Sequence, residues 1–553
     1  MEETLSDQRR KWLYLFIGLA ALINFSGLFV TIIGPDGTLY ATIAKTMAVT
    51  NNFTDLFSEG KDWLDKPHFP FWMAAVFFKA FGYTSWAYKL PAVIFILMAA
   101  FYTYKLALEL YTEEIALWSA LLLLTAQHVI LSNMDVRAEP YLTGLLIASI
   151  YHFYKAQGKK WFWDLVLGAL FAACAVMTKG IFALIPVFGA IAGNLLIKKQ
   201  WAMLFNFRWL LAVVLVFVFI LPELWCLYVQ FDAHPEKVIF GQTHVSGLKF
   251  FFWDSQFGRF FNTGPIKKSN GDPTFFLHTT LWAFLPWSIL FYIGVVQFFR
   301  ENRKRVQQAE WLCICGAGLT FLIFSASKFQ LPHYITIIFP LFSILTAQYI
   351  CRIKSERFFR VISRVQGTVA FLMTVVILVL NWFFNPDFSV VALVLLFLSL
   401  ALLGFSSYTI KDRFQVFYLT VVVVLFVNIY FNLVYYPALT LYQSDSQAAF
   451  WLNKHNGSKL PIVKVNNNYF HAIDFYSNEP VLDYLPGEEH LLPKRPYILF
   501  AETETIDHMK QRGIKLEPLK TFESFQVTRV NGKFLNHNTR KEVLGTSQLV
   551  LIK

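Results

Sequence analysis

The sequence predicts an all-α, multi-pass membrane protein with a small C-terminal α/β domain outside the membrane. Of its 553 residues, 56% are hydrophobic and only 15% are charged, whereas a typical soluble domain has about 25% charged residues. Long apolar runs also recur along the chain, and a run of about 20 residues is enough to cross a bilayer. After residue 441, strand-like and helix-like segments alternate instead, which predicts the α/β domain.

The apolar runs predict about thirteen transmembrane helices. They are runs 12–33, 90–108, 115–132, 140–154, 161–177, 181–197, 209–229, 275–298, 311–326, 332–350, 366–384, 389–409 and 414–436. The first follows Arg9, Arg10 and Lys11 and continues for a full span without a small-residue cleavage site. It is therefore predicted to be an uncleaved helix rather than a signal peptide.

The basic residues predict the orientation of these helices. They concentrate at the N-terminus and in the short loops 155–160, 198–208, 300–305, 352–364 and 411–413, which the positive-inside rule assigns to the cytoplasm. An odd number of spans then puts everything after residue 436 on the outer side. The net charge of +12 is thus explained by topology, and we expect membrane lipids as surroundings and no nucleic-acid partner.

Two domains follow from this organisation. Residues 1–440 form the transmembrane domain, including the long outer loops 34–89 and 231–274. Residues 441–553 form the outer α/β domain, with strand-like segments 461–465, 497–500 and 548–552 and helix-like segments 444–454 and 502–512. This tail has no Gly-rich nucleotide fingerprint, which favours a structural or acceptor-docking role.

Asp36 is the first candidate for chemistry. It follows Gly34-Pro35, which should end the first span because proline cannot continue the helical hydrogen bonds. The side chain then lies at a helix start on the outer membrane surface. Asp36 alone would be interpreted as an N-cap, a frequent role of aspartate.

A second outer loop adds further acids. In Asn133-Met-Asp135-Val-Arg137-Ala-Glu139-Pro140, two carboxylates flank an arginine. Glu139 before Pro140 also suits a helix cap. Acids gathered at one membrane face with a lysine, however, supply what sugar transfer from a phosphate carrier needs: a carboxylate that accepts the proton of the acceptor and cations that stabilise the departing phosphate.

Lys66 is the candidate lysine. It lies in Trp63-Leu-Asp65-Lys66-Pro67-His-Phe-Pro-Phe-Trp72, where prolines and aromatic rings indicate a semi-rigid loop rather than a lysine that only reaches towards headgroups. Other outer cations are Lys179, Arg259 and Lys328, each of which alone could be an interfacial anchor. Glu223, within a predicted span, is suspect because ionisable groups there are costly. The histidines show no metal-ligand spacing, so no metal is expected.

Several of these stretches resemble the superfamily of aminoarabinosyl transferases and protein O-mannosyltransferases. The matching stretches are Pro35-Asp36-Gly-Thr-Leu-Tyr40, Asp65-Lys66-Pro67, Thr178-Lys179-Gly180 and Ser327-Lys328-Phe-Gln-Leu331-Pro332-His333-Tyr334. They occur in order across most of the membrane region. The family often has a second acid directly after the first and an arginine two residues further on, where this chain has Gly37 and Leu39.

The resemblance implies a GT-C fold and a sugar taken from an undecaprenyl-type phosphate carrier at the outer face of a bacterial inner membrane. Asp36 would then be the catalytic base and Glu139 the second catalytic acid. No cofactor would be required beyond the lipid-linked sugar. The residues expected to bind substrate are Lys66, Arg259, Tyr334, Trp63, Asp65, Asp135, Arg137, Lys328 and His333.

Three functions are compatible with this pattern. The first is transfer to a lipid, such as lipid A, or to a glycan, and the second is transfer to a serine or threonine of a protein. A transporter or flippase is the third, but transporters place charges near the bilayer midplane and often show repeats. The acids here gather at one face and no repeat is visible, which favours catalysis.

Overall fold

The computed structural model describes residues 5–263, 265, 271–304, 306–465, 469–484 and 492–553. Residues 264 and 266–270 of the predicted outer loop 231–274, and residue 305 of the predicted cytoplasmic loop 300–305, lie outside this description. The described part before residue 441 is helical apart from a short hairpin of β1 (Phe57–Ser58) and β2 (Lys61–Asp62).

The helices of this first part follow one another with short connections. They are α1 (Asp7–Phe25), α2 (Gly34–Thr50), α3 (Phe69–Phe81), α4 (Ser85–Leu110), α5 (Glu113–Leu124), α6 (Gln127–Met134), α7 (Glu139–Lys155), α8 (Trp161–Lys179), α9 (Ile185–Ile197), α10 (Trp201–Leu204), α11 (Phe207–Phe219), α12 (Leu221–Leu227), α13 (Gly247–Lys249), α14 (Arg259–Phe261), α15 (Phe275–Ala283), α16 (Ser288–Asn302), α17 (Leu312–Ala326), α18 (Phe339–Arg352), α19 (Glu356–Phe384), α20 (Val390–Thr409), α21 (Gln415–Tyr430) and α22 (Tyr436–Leu439). Short stretches of 3₁₀ or π helix join several of them: Ile181–Leu184, Tyr228–Asp232, Phe250–Gly258, Pro332–Ile338, Phe431–Tyr435 and Thr440–Tyr442.

Seven helical stretches of the described chain are long and apolar enough to cross a membrane, and the bent pair α5–α6 would make an eighth. They are Ser85–Leu110, Trp161–Lys179, Trp201–Phe219, Pro332–Arg352, Glu356–Phe384, Val390–Thr409 and Gln415–Tyr442. The prediction of about thirteen spans is therefore not reproduced by length and composition. Several apolar runs are divided by bends, such as the 49° bend between α5 and α6, or are only 13 to 15 residues long, as in α9 and α17.

The spans differ in how deeply they are packed. In Pro332–Arg352, 89% of the apolar window is buried by the rest of the protein, whereas in Trp201–Phe219 only 6% is. An apolar helix that protein does not cover must face another apolar medium, which for a membrane protein is lipid. The stretch containing α18 is therefore central, and α11 is peripheral.

The described part after residue 441 contains a five-stranded mixed sheet with helices on both faces. Its strands lie in the order β4-β3-β5-β7-β6, with β3 parallel to β4 and β5, and β7 antiparallel to β5 and β6. Helix α23 packs on one face and α25 on the other. The elements are α23 (Ser444–His455), β3 (Ile462–Val465), α24 (Ala472–Tyr476), β4 (Val481–Tyr484), β5 (Tyr497–Glu502), α25 (Thr503–Gln511), β6 (Leu516–Ser524), α26 (Gly532–Leu535), a turn at Arg540–Glu542 and β7 (Gly545–Ile552).

Candidate active site

A cavity of about 200 Å³ lies where the starts of α2 and α7, the end of α8, the loop before α3 and the segment before α18 meet. Most of the polar residues predicted for the site line it, together with aromatic rings. The lining residues are Asp36, Tyr40, Asp65, Lys66, Pro70, Phe71, Tyr88, Arg137, Ala138, Glu139, Tyr141, Thr178, Lys179, Arg259, Phe329, Leu331, His333 and Tyr334.

Asp36 lies in the first turn of α2, and its carboxylate faces outwards from the helix. Arg137 donates from Nη1 to Asp36 Oδ2 at 2.7 Å, and the Asp36 side chain remains 51% exposed. The N-cap residue of α2 is Ile33, and no side chain forms a capping hydrogen bond there. The Asp36 carboxylate therefore pairs with an arginine from another loop rather than capping its own helix.

Gly34 fixes where α2 begins. Its φ is +77°, a region open to glycine, and a Cβ at this position would come within 2.4 Å of the Thr528 side chain. Gln443 accepts a hydrogen bond from the Gly34 amide at 3.0 Å. The start of the helix that carries Asp36 is therefore held by residues of the C-terminal part.

Arg137 joins the two acidic loops. Besides Asp36, its guanidinium reaches Asp135, with Nε donating to Oδ2 at 3.2 Å. Burial alone would lower the pKa of Arg137, but Asp135 and Asp36 raise it above its usual value. Arg137 is thus permanently charged, and it places a positive charge beside the Asp36 carboxylate.

Glu139 and Lys179 form a second ion pair deeper in the cavity. Glu139, at the start of α7, is 2% exposed and accepts a short hydrogen bond from Lys179 at the end of α8. His333 Nε2 lies 3.9 Å from Glu139 Oε1, and the Lys179 ammonium lies 3.5 Å from the centre of the Tyr334 ring. Such an ammonium over an aromatic face is stabilised by the ring quadrupole.

The backbone conformation and the packing at position 180, directly after Lys179, both require a glycine. With φ at +89° it ends α8, and the Gln256 amide fills the space that a Cβ would need, 2.1 Å away. Gln256 in turn donates to the Lys179 carbonyl at 3.1 Å. A larger residue here would displace Gln256 and, with it, the backbone of Lys179.

Lys66, Arg259 and Asp65 form an ion cluster at another wall of the cavity. The Asp65 carboxylate accepts from Lys66 Nζ at 2.7 Å and, in a shorter contact, from Arg259 Nη2. Burial and the neighbouring Arg259 lower the pKa of Lys66 to about 8. Burial would raise the pKa of Asp65, but Lys66 and Arg259 hold it below its usual value. Two cations therefore converge on one anionic group.

Three predicted site residues lie behind the cavity or away from it. Asp135 reaches the site only through Arg137. Trp63 packs edge-on against Tyr40 and Phe71, with ring centres 6.0 and 5.5 Å apart, and so supports the wall. The side chain of Lys328 is exposed and does not line the cavity; its backbone amide donates to the Phe260 carbonyl at 3.1 Å, so direct substrate contact by Lys328 is not supported.

Sequence reasoning gave no role to Lys179, although its stretch was noticed. The signal was a lysine at the outer end of an apolar run, which equally suits an interfacial anchor. Tyr40, Tyr88 and Tyr141 were also not predicted, because nothing in the sequence separates a cavity-lining tyrosine from a core one.

One group of described residues has a spacing that could hold a metal ion, and it lies outside the cavity lining. Glu59, His471 and Asp474 present ligand atoms within 4.8 Å of one another. The Lys464 ammonium lies among them, 2.8 Å from Glu59 and 2.6 Å from Asp474. A positive charge is therefore already supplied there by the chain, and the expectation that no metal is required stays a prediction.

Comparison with known proteins found a family model and relatives that match parts of this chain. Residues 65–225 match the family model described as dolichyl-phosphate-mannose-protein mannosyltransferase. An uncharacterised protein of Aquifex aeolicus is 23% identical over 343 residues, 62% of this chain and 64% of that one. The undecaprenyl phosphate-alpha-4-amino-4-deoxy-L-arabinose arabinosyl transferase 2 of Proteus mirabilis is 25% identical over 57% of this chain and 55% of its own length. The chain thus matches only 55 to 64% of the length of these relatives.

The likeness of the structures extends over nearly the whole chain. The crystal structure of ArnT from Cupriavidus metallidurans bound to undecaprenyl phosphate covers 98% of this chain and 98% of its own, with a TM-score of 0.73 at 17% identity. This chain has the ArnT-like GT-C fold. The GT-C fold that the resemblance of short motifs implied is confirmed. In the GT-C fold of this chain, the cavity lies at the junction of α2, α7 and α8.

Proposed function

We propose that this protein is an inner-membrane glycosyltransferase that moves a sugar from an undecaprenyl-type phosphate carrier to a lipid or glycan acceptor. One observation carries the proposal: a carboxylate, Asp36, and two cations, Lys66 and Arg259, line the same cavity. The relatives named as undecaprenyl-phosphate arabinosyl transferases support this substrate class.

In the proposed reaction, the acceptor oxygen bonds to C1 of the sugar as the bond from C1 to the carrier phosphate oxygen breaks. Asp36 takes the proton of the acceptor hydroxyl. Lys66 and Arg259 stabilise the charge on the departing phosphate, an effect that is stronger in a site poor in water. On the opposite wall, Glu139 holds Lys179 against the Tyr334 ring. The ammonium of Lys179 contributes a further positive charge there.

The proposal places the cavity and the five-stranded sheet at the periplasmic face and the N-terminus in the cytoplasm. The distribution of basic loops supports this orientation. The cavity and the sheet belong to the same face, because the amide of Gly34, two residues before Asp36, donates to Gln443, which directly precedes α23.

The catalytic assignment is tested by Asp36→Asn. We expect this variant to lose transfer of a radiolabelled sugar from its carrier, by at least about 100-fold, because general base catalysis contributes 10² to 10⁴-fold. Binding of undecaprenyl phosphate should change little, since the phosphate cations remain. Asp387→Asn, an exposed aspartate between α19 and α20, is the matched control. Normal turnover by Asp36→Asn would refute the base assignment.

A protein acceptor is the second candidate, favoured by the mannosyltransferase family model over residues 65–225. Mass spectrometry of periplasmic proteins and of lipid A from a deletion strain separates the two acceptors. The same carrier-sugar assay tests the flippase alternative, because a flippase would yield no glycosylated product.

A further inference from the structure

Glu223 and His68 form a fully buried pair that the proposed chemistry does not use. Both side chains are 0% exposed, and neither lines the cavity. Glu223 lies in the first turn of α12, and His68 directly precedes α3. Burying two ionisable groups is costly unless they satisfy each other, so the pair requires an explanation.

The Glu223 carboxylate holds His68 by both its backbone and its ring. The His68 amide donates to Oε2 at 3.0 Å, and His68 Nδ1 lies 3.0 Å from Oε1. The other ring nitrogen, Nε2, lies 2.9 Å from the Thr54 carbonyl. A carbonyl only accepts, so Nε2 carries a proton. Nδ1 and Oε1 face each other at hydrogen-bond distance, so the carboxylate also fixes the orientation of the ring.

Neighbouring contacts fix the same loop from the other side. Gln230, just after α12, accepts from the Leu56 amide at 3.0 Å and donates to the Leu56 carbonyl at 2.9 Å. Trp72 packs against the His68 ring and donates to the Phe53 carbonyl at 2.8 Å. Segment 53–72 is therefore bound to the α12 segment near both of its ends, and its two ends are also bound to each other.

Lys66 lies inside this clamped segment, two residues before His68 and separated from it only by Pro67. Proline fixes one backbone dihedral, so the position of His68 is transmitted to the Lys66 backbone with little freedom. The Lys66 side chain contacts Asp65 of the same loop. Arg259 contacts Asp65 from outside the loop, so the distance between Lys66 and Arg259 depends on where the loop as a whole is held.

We infer that Glu223 and His68 are positioning residues that hold Lys66 at the spacing from Arg259 which the carrier phosphate requires. This inference rests on the proposed function, because it assigns Lys66 to the phosphate. The pair touches neither substrate nor cavity, and it acts through the geometry of the Asp65-Lys66-Pro67 loop.

The test compares three substitutions of Glu223 in the full-length protein. Glu223→Ala releases His68, and we expect the KM for the undecaprenyl-phosphate sugar to rise about tenfold, since misplacement by about 1 Å can cost up to 10²-fold. The KM for the acceptor should not change. Glu223→Gln should restore the donor KM, because its carbonyl can accept from the His68 amide while its NH₂ donates to Nδ1.

The matched control is a second histidine–carboxylate pair. His152 Nδ1 lies 2.7 Å from Asp164 Oδ1, between α7 and α8 and away from the cavity lining. Asp164→Ala should lower thermal stability without changing the donor KM. An equal rise of the donor KM in Asp164→Ala and Glu223→Ala would overturn the inference, as would a loss of stability in Glu223→Ala with both KM values unchanged.

Should Glu223→Ala not fold, Glu223→Asp decides. It keeps the charge but withdraws the carboxylate by one methylene, so positioning predicts a raised donor KM in Glu223→Asp and a normal one in Glu223→Gln. The opposite order would refute positioning. Lys66→Ala separates the two proposals. If this variant binds undecaprenyl phosphate as well as the parent protein, the proposed function fails. If Lys66→Ala weakens binding but the Glu223 variants do not, only this inference fails.

Discussion

Lys66 and Arg259 share one counter-charge, Asp65, so at the level of single residues the proposed phosphate site is an ion cluster with one positive charge in excess. Asp65 bridges both cations. A phosphate entering the cavity finds the same two donors already pointed at one place. Such preorganisation reduces the reorganisation needed on binding.

Lys66 makes donor binding depend on pH. Burial and the neighbouring Arg259 lower the pKa of Lys66 in the folded protein to about 8, so its ammonium is lost as the pH rises through 8. The carrier phosphate stays doubly charged over this range, because the second pKa of such monoesters is near 6. We expect the Kd for undecaprenyl phosphate to rise between pH 7 and 9, measured by titration in detergent. Lys66→Arg keeps its charge at these pH values, so its Kd should stay flat; a similar rise in this variant would assign the titration to another group.

The sequence was sufficient to predict most of the charged residues of the cavity, but not Lys179 and not the pairing of these residues. Asp36, Lys66 and Glu139 were identified because acids and a lysine recur near one membrane face. That Arg137 would pair with Asp36 could not be read from spacing, because the two are 101 positions apart. Arg137 supplies a guanidinium beside Asp36, whereas the family often places one in the same helix, where this chain has Leu39.

Helix α2 is held along its length by the C-terminal part, and the contact with α24 is the clearest case. Lys45 donates from Nζ to the carbonyls of Asp474, Phe475 and Ser477, at 3.0, 2.8 and 2.9 Å. These carbonyls belong to the last turn of a short helix, where backbone acceptors lack partners within the helix. Lys45 thus caps α24 and docks it onto the helix of Asp36.

Removing this cap should loosen the docking of α24. We expect Lys45→Met to lower the stability of the folded protein by about 2 kcal/mol, the scale of a lost charged hydrogen bond, seen as a lower Tm in detergent. Lys454→Met, an exposed lysine on α23, is the control and should leave the Tm unchanged. Equal melting of the two variants would show that the Lys45 contacts contribute nothing.

Element prediction succeeded where a pattern was strong and local. The helices at 444–454 and 502–512 lie at Ser444–His455 and Thr503–Gln511, and the strands at 461–465, 497–500 and 548–552 lie within or close to β3, β5 and β7. Strands β4 and β6 were not predicted: β4 has only four residues, and the sequence of β6 is largely polar and contains Pro518, where the pairing shifts. Helix breaks were missed because hydropathy does not register bends.

Across the whole molecule, the first outer loop and the sheet are joined by a buried charge cluster. The Lys464 side chain, 0% exposed, contacts Glu59 of the hairpin loop as well as Asp474 and Asp483 of the C-terminal part. These carboxylates raise the pKa of Lys464 above its usual value, although burial acts in the opposite direction. Tyr476 makes a second connection, accepting from the Ile32 amide at 2.8 Å.

Lys464→Met should separate these regions. It would leave carboxylates buried without a counter-charge, which costs about 3 to 5 kcal/mol when a buried pair is broken, so we expect a clearly lower Tm and earlier proteolysis of the C-terminal part. Lys510→Met removes an exposed pair with Asp507, worth about 0 to 1 kcal/mol, and should melt like the parent protein. Unchanged melting of Lys464→Met would mean that the cluster does not join the two regions.

The bridging carboxylate of Asp65 also affects which anions could occupy the proposed phosphate site. Because Asp65 is covalently attached to the loop, it competes for Lys66 and Arg259 at a high effective concentration. Inorganic phosphate and the headgroups of other lipids would have to displace the Asp65 carboxylate by charge interactions alone. Under the proposed function, a prenyl carrier would gain additional free energy from burying its hydrocarbon tail, so we expect an anion attached to an apolar chain to replace Asp65 more readily than a free anion.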